Sequence, residues 1–412
     1  LNITFFCYMK NAWWILLWLP WFSLMAQDFS FRKNRIFLGA SVEGAYLLTS
    51  DEYAREFLQS HGVRFYNFHV RFQPLPGDPY DKAYRSPSLE FGVLAADFRD
   101  IRLFRLENPS RLSGMGGLFA LYGAFRRDVV EAGPFRLNYF LENGIGWSTR
   151  PYDGLQNPDN ELIGAPLSIY FGMGVGGNFR IGKQWELSVG LHFRHFSNGS
   201  LDRPNKGANT VGASLGVSHT LSVPEASEAS APVRDPLSLS QKRMYVDVSV
   251  GWMASTLMDE WFYSLRCPSD DPRYRTKDFR LYSALGVSLS AMYRYSLRFA
   301  SGLGVDYGYL PWVDDVASYD RLNHTEDRYS RHSLGICLKH EIFYKRFSTC
   351  LSVGYYLYRH TGHLSHEFEK PYYETFGLRY TLPFGDTFYV GYQVKAHLFR
   401  ASCMEFSVGT RL

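Results

Sequence analysis

Glu186-Leu187-Ser188-Val189-Gly190-Leu191-His192-Phe193-Arg194-His195-Phe196-Ser197-Asn198-Gly199 is the stretch that decides the fold. Leu187, Val189, Leu191 and Phe193 alternate with Glu186, Ser188, Gly190, His192 and Arg194. Side chains of a strand point to opposite faces with period two. One face here is therefore apolar and the other polar, and His195 and Ser197 fall at the end of the apolar stripe. A histidine and a serine on one face are the parts of a nucleophile–base pair. The plainer alternative is two rim residues at the headgroup level of a membrane strand.

The same alternation recurs outward from this strand, in segments of roughly ten residues or more, the pattern of a transmembrane β-barrel. The first half reads as strands near 36–50, 62–74, 87–99, 115–127, 134–148, 162–181, 184–199 and 208–222. In the second half Tyr245–Met253, Leu281–Met292, His332–Phe343 and Phe388–Leu398 do the same. Ala132-Gly133-Pro134, Ile181-Gly182-Lys183, Tyr344-Lys345-Arg346 and Pro383-Phe384-Gly385-Asp386 are tight connections. The stretches 75–86, 100–114, 150–161, 256–277 and 310–330 read as long polar loops on the opposite side. Short periplasmic turns and long outer loops are what outer-membrane barrels have.

Composition agrees. Of 412 residues, 17% are aromatic and 20% charged, with 36 glycines. A net charge of +4, from 44 basic and 40 acidic residues, is too balanced for a nucleic-acid partner. Residues 9–26 read as a secretory signal with Met9 as the start, a short apolar core and cleavage near Ala26. That predicts export to the bacterial outer membrane; a membrane-anchor helix is the alternative. The spacings of Cys267, Cys337, Cys350 and Cys403 fit neither a metal site nor a redox motif, and no pairing follows from them.

Residues 223–241, rich in Pro, Ser and Ala, read as a linker. The expected fold class is all-β: an antiparallel transmembrane barrel of about eight strands over 27–222, then a second set of about eight strands over 242–412. Two tandem barrels are expected, with one larger barrel as the alternative. Strand parity puts the linker on the periplasmic side and the end of the 184–199 strand at the outer surface. The strand after it descends from Asn209 through Val211, Ala213, Leu215 and Val217, so Asn209 shares the outward face.

At His195-Phe-Ser197-Asn198-Gly199, followed by Pro204-Asn205-Lys-Gly207, the sequence resembles the outer-membrane lipid A 3-O-deacylases (PagL), also called acyloxyacyl hydrolases. The resemblance spans about residues 28–222 and implies Ser197 as nucleophile and His195 as general base. It places Asn209 where the family has a glutamate, so an amide stands in for the triad's acid. Asn205 and Asn198 are the candidate oxyanion donors. The implied substrate is lipid A in the outer leaflet, an ester-linked 3-hydroxyacyl chain being removed without metal or cofactor. A non-catalytic barrel, acting as a pore or binding platform, is the alternative function.

Elsewhere, Tyr358-Arg359-His360-Thr-Gly-His363-Leu-Ser365 faintly echoes the first site, and His360, His363 and His366 offer only weak metal-ligand spacing. Arg136 and Glu142 fall on lumen positions and read as parts of a barrel-filling polar network.

Overall fold

The computed structural model describes residues 34–49, 55, 58–75, 79–103, 113–223, 243–383 and 387–412. The expected signal (9–26) and nearly all of the expected linker (223–241) lie outside the described residues. The described residues form two closed antiparallel barrels of eight strands each. The first runs β1 (Asn34–Leu48), β2 (Gly62–Pro74), β3 (Ser88–Leu103), β4 (Ser113–Ala132), β5 (Phe135–Ser148), β6 (Leu167–Ile181), β7 (Trp185–Ser197) and β8 (Ala208–Ser222). β8 closes onto β1. The second runs β9 (Arg243–Ser255), β10 (Tyr282–Arg294), β11 (Phe299–Tyr309), β12 (Tyr329–Tyr344), β13 (Phe347–Thr361), β14 (Tyr372–Thr381), β15 (Phe388–His397) and β16 (Arg400–Arg411), with β16 closing onto β9. Two barrels, rather than one larger one, use the sequence.

Each barrel is greasy outside and polar inside. On β7 and β8 the outward Val189, Leu191 and Leu215 are 58%, 62% and 60% exposed. Inward, Arg71 reaches Glu186 at 2.6 Å, and Tyr122 donates to Asn67 at 2.9 Å and Glu90 at 2.8 Å. Arg136 joins Glu186, and Glu142 binds Arg194, so both fill the lumen as a polar network. An apolar wall around a polar interior is stable only if hydrocarbon covers the wall, and a closed barrel leaves no strand edge unpaired in it.

The 75–86 stretch corrects the loop assignment. It joins β2 to β3 on the same side as the tight turns after β4, β6 and β12. Part of it is the helix Pro79–Tyr84, which docks on the second barrel. Tyr84 donates to the carbonyl of Phe343 at 2.9 Å, and Asp81 takes hydrogen bonds from Tyr344 at 2.9 Å and Lys345 at 3.1 Å. Its polar residues suggested a solvated loop, whereas they serve an interface. Conversely, β15 and β16 meet on the long-loop side through only Leu398 and Phe399.

The barrels also touch along their walls and on the long-loop side. Phe171 of β6 meets Phe376 of β14 edge-to-face, with ring centroids 5.3 Å apart. Tyr392 bonds Asn143, and Lys277 pairs with Asp153 at 3.1 Å.

Candidate active site

β7 ends at the outer rim with its alternation intact. Phe196 points inward, fully buried, onto the ring of Tyr170 (centroids 4.9 Å apart) in an apolar cluster that plugs this end of the barrel. That anchor fixes the opposite orientation of its neighbours His195 and Ser197. Register then supplies their partners: His195 lies across from Asn209 on β8 and from Phe171 on β6, and Ser197 from Ile169.

The three polar side chains form one chain of hydrogen bonds. His195 Nε2 and Ser197 Oγ are 2.8 Å apart, and His195 Nδ1 and Asn209 Oδ1 are 2.6 Å apart. An amide oxygen only accepts, so Nδ1 carries the proton and donates it to Asn209. Nε2 is thereby left as the acceptor for the Ser197 hydroxyl. This is the tautomer a general base requires. Ser197 is 8% exposed, so the hydroxyl sits in a largely dry rim where a polar reaction partner is felt strongly.

The connection from β7 to β8 folds back over the site. Asn205 Oδ1 accepts the backbone N–H of Asn198 at 2.9 Å, and Gly207 N–H donates to the carbonyl of Leu162 at 2.9 Å. Asn205 thus holds the backbone beside the serine through its oxygen. The carboxamide of Asn198 is buried, and neither its Nδ2 nor its Oδ1 has a hydrogen-bond partner. An unpaired buried donor is costly unless a ligand uses it, and this one belongs to the residue that follows Ser197 in the chain. Gly207 has φ of +77°, and a Cβ there would lie 2.8 Å from His195 Cε1. Only glycine combines that backbone with that approach to the imidazole.

The second-barrel echo does not assemble. His360 packs its ring edge against Tyr358, Ser365 donates to the carbonyl of Gly362 at 2.9 Å, and His366 meets Asp327 at 2.8 Å. Among the described residues, His360, His363 and His366 belong to no cluster of three ligating groups. Among the described residues, Cys267, Cys337, Cys350 and Cys403 are buried and unpaired. Sequence reasoning missed Thr256, Ala401 and Met404 of the second barrel, which touch the loop after Ser197. Nothing local in the sequence marks them.

Family comparison divides the chain as the fold does. Residues 66–218 match the family model of lipid A 3-O-deacylase (PagL), and residues 245–412 match that of the acyloxyacyl hydrolase C-terminal domain. No curated protein matches the chain. Among solved structures, the outer-membrane enzyme PagL is 14% identical, covering 44% of this chain and 97% of its own, with a TM-score of 0.26. The β domain of the Bordetella autotransporter BrkA is 9% identical, covering 92% of this chain and 98% of its own, with a TM-score of 0.24.

Proposed function

The chain belongs to the lipid A 3-O-deacylase (PagL) family, and we propose that it is an outer-membrane serine esterase that removes an ester-linked 3-hydroxyacyl chain from lipid A. The observation that carries this reading is His195, bonded to Ser197 on one nitrogen and Asn209 on the other, at the outer rim of a lipid-facing wall. The sugar and ester linkages of an outer-leaflet glycolipid lie at that depth, with its acyl chains against Leu191, Val189 and Leu215.

Ser197 Oγ attacks the ester carbonyl as His195 Nε2 takes its proton. The oxyanion meets the Asn198 carboxamide, and collapse breaks the bond to the sugar oxygen, which takes the proton from the imidazolium and leaves as a hydroxyl. Water, deprotonated by the same nitrogen, then hydrolyses the acyl-serine and frees the fatty acid. Asn209 orients the ring throughout, as the amide does in Cys-His-Asn sites. A pore is disfavoured by lumens crowded with buried side chains, among them Arg194 in the first barrel and Arg294 in the second.

Mass spectrometry of lipid A from cells producing the protein tests the assignment. The wild-type chain is expected to remove one 3-hydroxyacyl group, and the Ser197→Ala variant to leave lipid A intact. Equal deacylation by both would remove Ser197 from the mechanism.

A further inference from the structure

The loop after Ser197 is held from outside its own barrel. The carbonyl of Ser200, a fully buried residue, accepts the backbone N–H of Thr256 at 2.7 Å and the Thr256 hydroxyl at 2.9 Å. The Ser200 hydroxyl donates to the carbonyl of Ala401 at 2.7 Å. Arg203, also buried, donates from Nη2 to the carbonyl of Thr256 at 3.0 Å. Gly199, with φ of +64°, lies so close to Met404 that a Cβ would fall 2.6 Å from its Sδ. Thr256 directly follows β9, and Ala401 and Met404 sit on β16, the strand paired to β9. One edge of the second barrel therefore grips three residues of a loop that begins one position after the nucleophile.

We propose that the second barrel positions the active site of the first, with Thr256 as the central positioning residue. The proposal rests on Ser197 being the nucleophile. The Asn198 carboxamide can meet an oxyanion only if the loop holds one conformation. From within the first barrel Asn205 holds the start of the loop, and the carbonyls of Glu161 and Leu162 accept the N–H groups of Lys206 and Gly207 at 3.0 and 2.9 Å at its end. Between those anchors, the hydrogen bonds of Ser200 and of the Arg203 guanidinium cross the interface. A displacement of about 1 Å at a reacting group can cost on the order of 100-fold in rate.

The test uses the full chain, folded in detergent or liposomes, with lipid A as substrate. Thr256→Val removes the hydroxyl at nearly constant volume and keeps the backbone N–H; Thr256→Ser restores the hydroxyl. Thr256→Val is expected to lower kcat by about 10-fold with KM little changed, and to speed amide hydrogen exchange in 198–207. Thr256→Ser should return both to wild-type values. Heat-modifiable migration on gels checks that the barrels are folded. Should Thr256→Val not fold, Ser200→Ala, which removes the bond to Ala401, is expected to show the same two changes. Wild-type kcat or wild-type loop exchange in a folded variant overturns the proposal. A fully active Ser197→Ala would instead overturn the nucleophile assignment beneath it, with the loop exchange still reporting the grip.

Discussion

At the scale of one residue, the site turns on Asn209. A carboxylate opposite His195 Nδ1 would both fix the tautomer and favour the imidazolium formed as Ser197 loses its proton. The amide does only the first. Its 2.6 Å contact to Nδ1 nevertheless holds the ring from that side. Removing it in Asn209→Ala frees the imidazole to rotate and to adopt the other tautomer. General-base catalysis contributes about 10² to 10⁴ in rate, and a loss near the lower end, about 100-fold in kcat, is expected. Asn209→Glu should recover at least wild-type kcat, because the carboxylate accepts the same hydrogen bond and adds charge. Steady-state release of fatty acid measures both. An Asn209→Ala enzyme with unchanged kcat would show that Asn209 does not orient the base. His195, Ser197 and Asn209 were all legible in the sequence, since alternation along two adjacent strands fixes which faces they share. The hydrogen-bonding role of Asn205 was not, because it depends on how a ten-residue connection folds back.

At the scale of an element, β7 does two jobs with its two faces. Outward it carries the site; inward it carries Arg194, buried between Glu43 and Glu142 at 2.9 and 2.6 Å and bonded to Tyr170. Breaking a buried ion pair by deleting one partner strands the other charges, at a cost of about 3–5 kcal/mol. Arg194→Met should therefore unfold the first barrel at distinctly lower temperature, read as earlier loss of heat-modifiable migration, although Arg194 faces away from the serine. A melting point within a degree or two of wild type would mean the lumen network is energetically neutral. The period-two pattern made such strands readable, because burial in lipid on one side and polar packing on the other imposes it residue by residue. The helix Pro79–Tyr84 has no such imprint. Its charged residues look the same in sequence whether they face water or, as Asp81 does, the Tyr344 and Lys345 of another barrel.

At the scale of the whole molecule, the barrels are coupled through buried polar groups on the site's side, and some of these titrate. Burial pushes Asp202, in the gripped loop, up to about 7, against the pull of Arg203 and with Asp278 adding to the rise. Burial also raises Asp259, in the helix Met258–Arg266, to about 7, with Asp320 and Glu369 reinforcing and Arg203 opposing the rise. In the unfolded chain both carboxyls titrate near 3.8. Between about pH 4 and 7 the folded state thus holds protons that the unfolded state has released. Stability from this junction is therefore largest at the acidic end of that window and falls as pH rises through it. Above about 7 two charges sit where water cannot reach them freely, and Arg203 must compensate both while still bonding Thr256. Asp202→Asn with Asp259→Asn removes both titrations at nearly constant shape. The double variant should show a weaker fall in melting temperature from pH 5 to 8 than the wild-type chain, and slower hydrogen exchange in 198–207 at pH 8. Parallel melting curves for the two proteins across that range would mean that these carboxyls do not couple the barrels to pH.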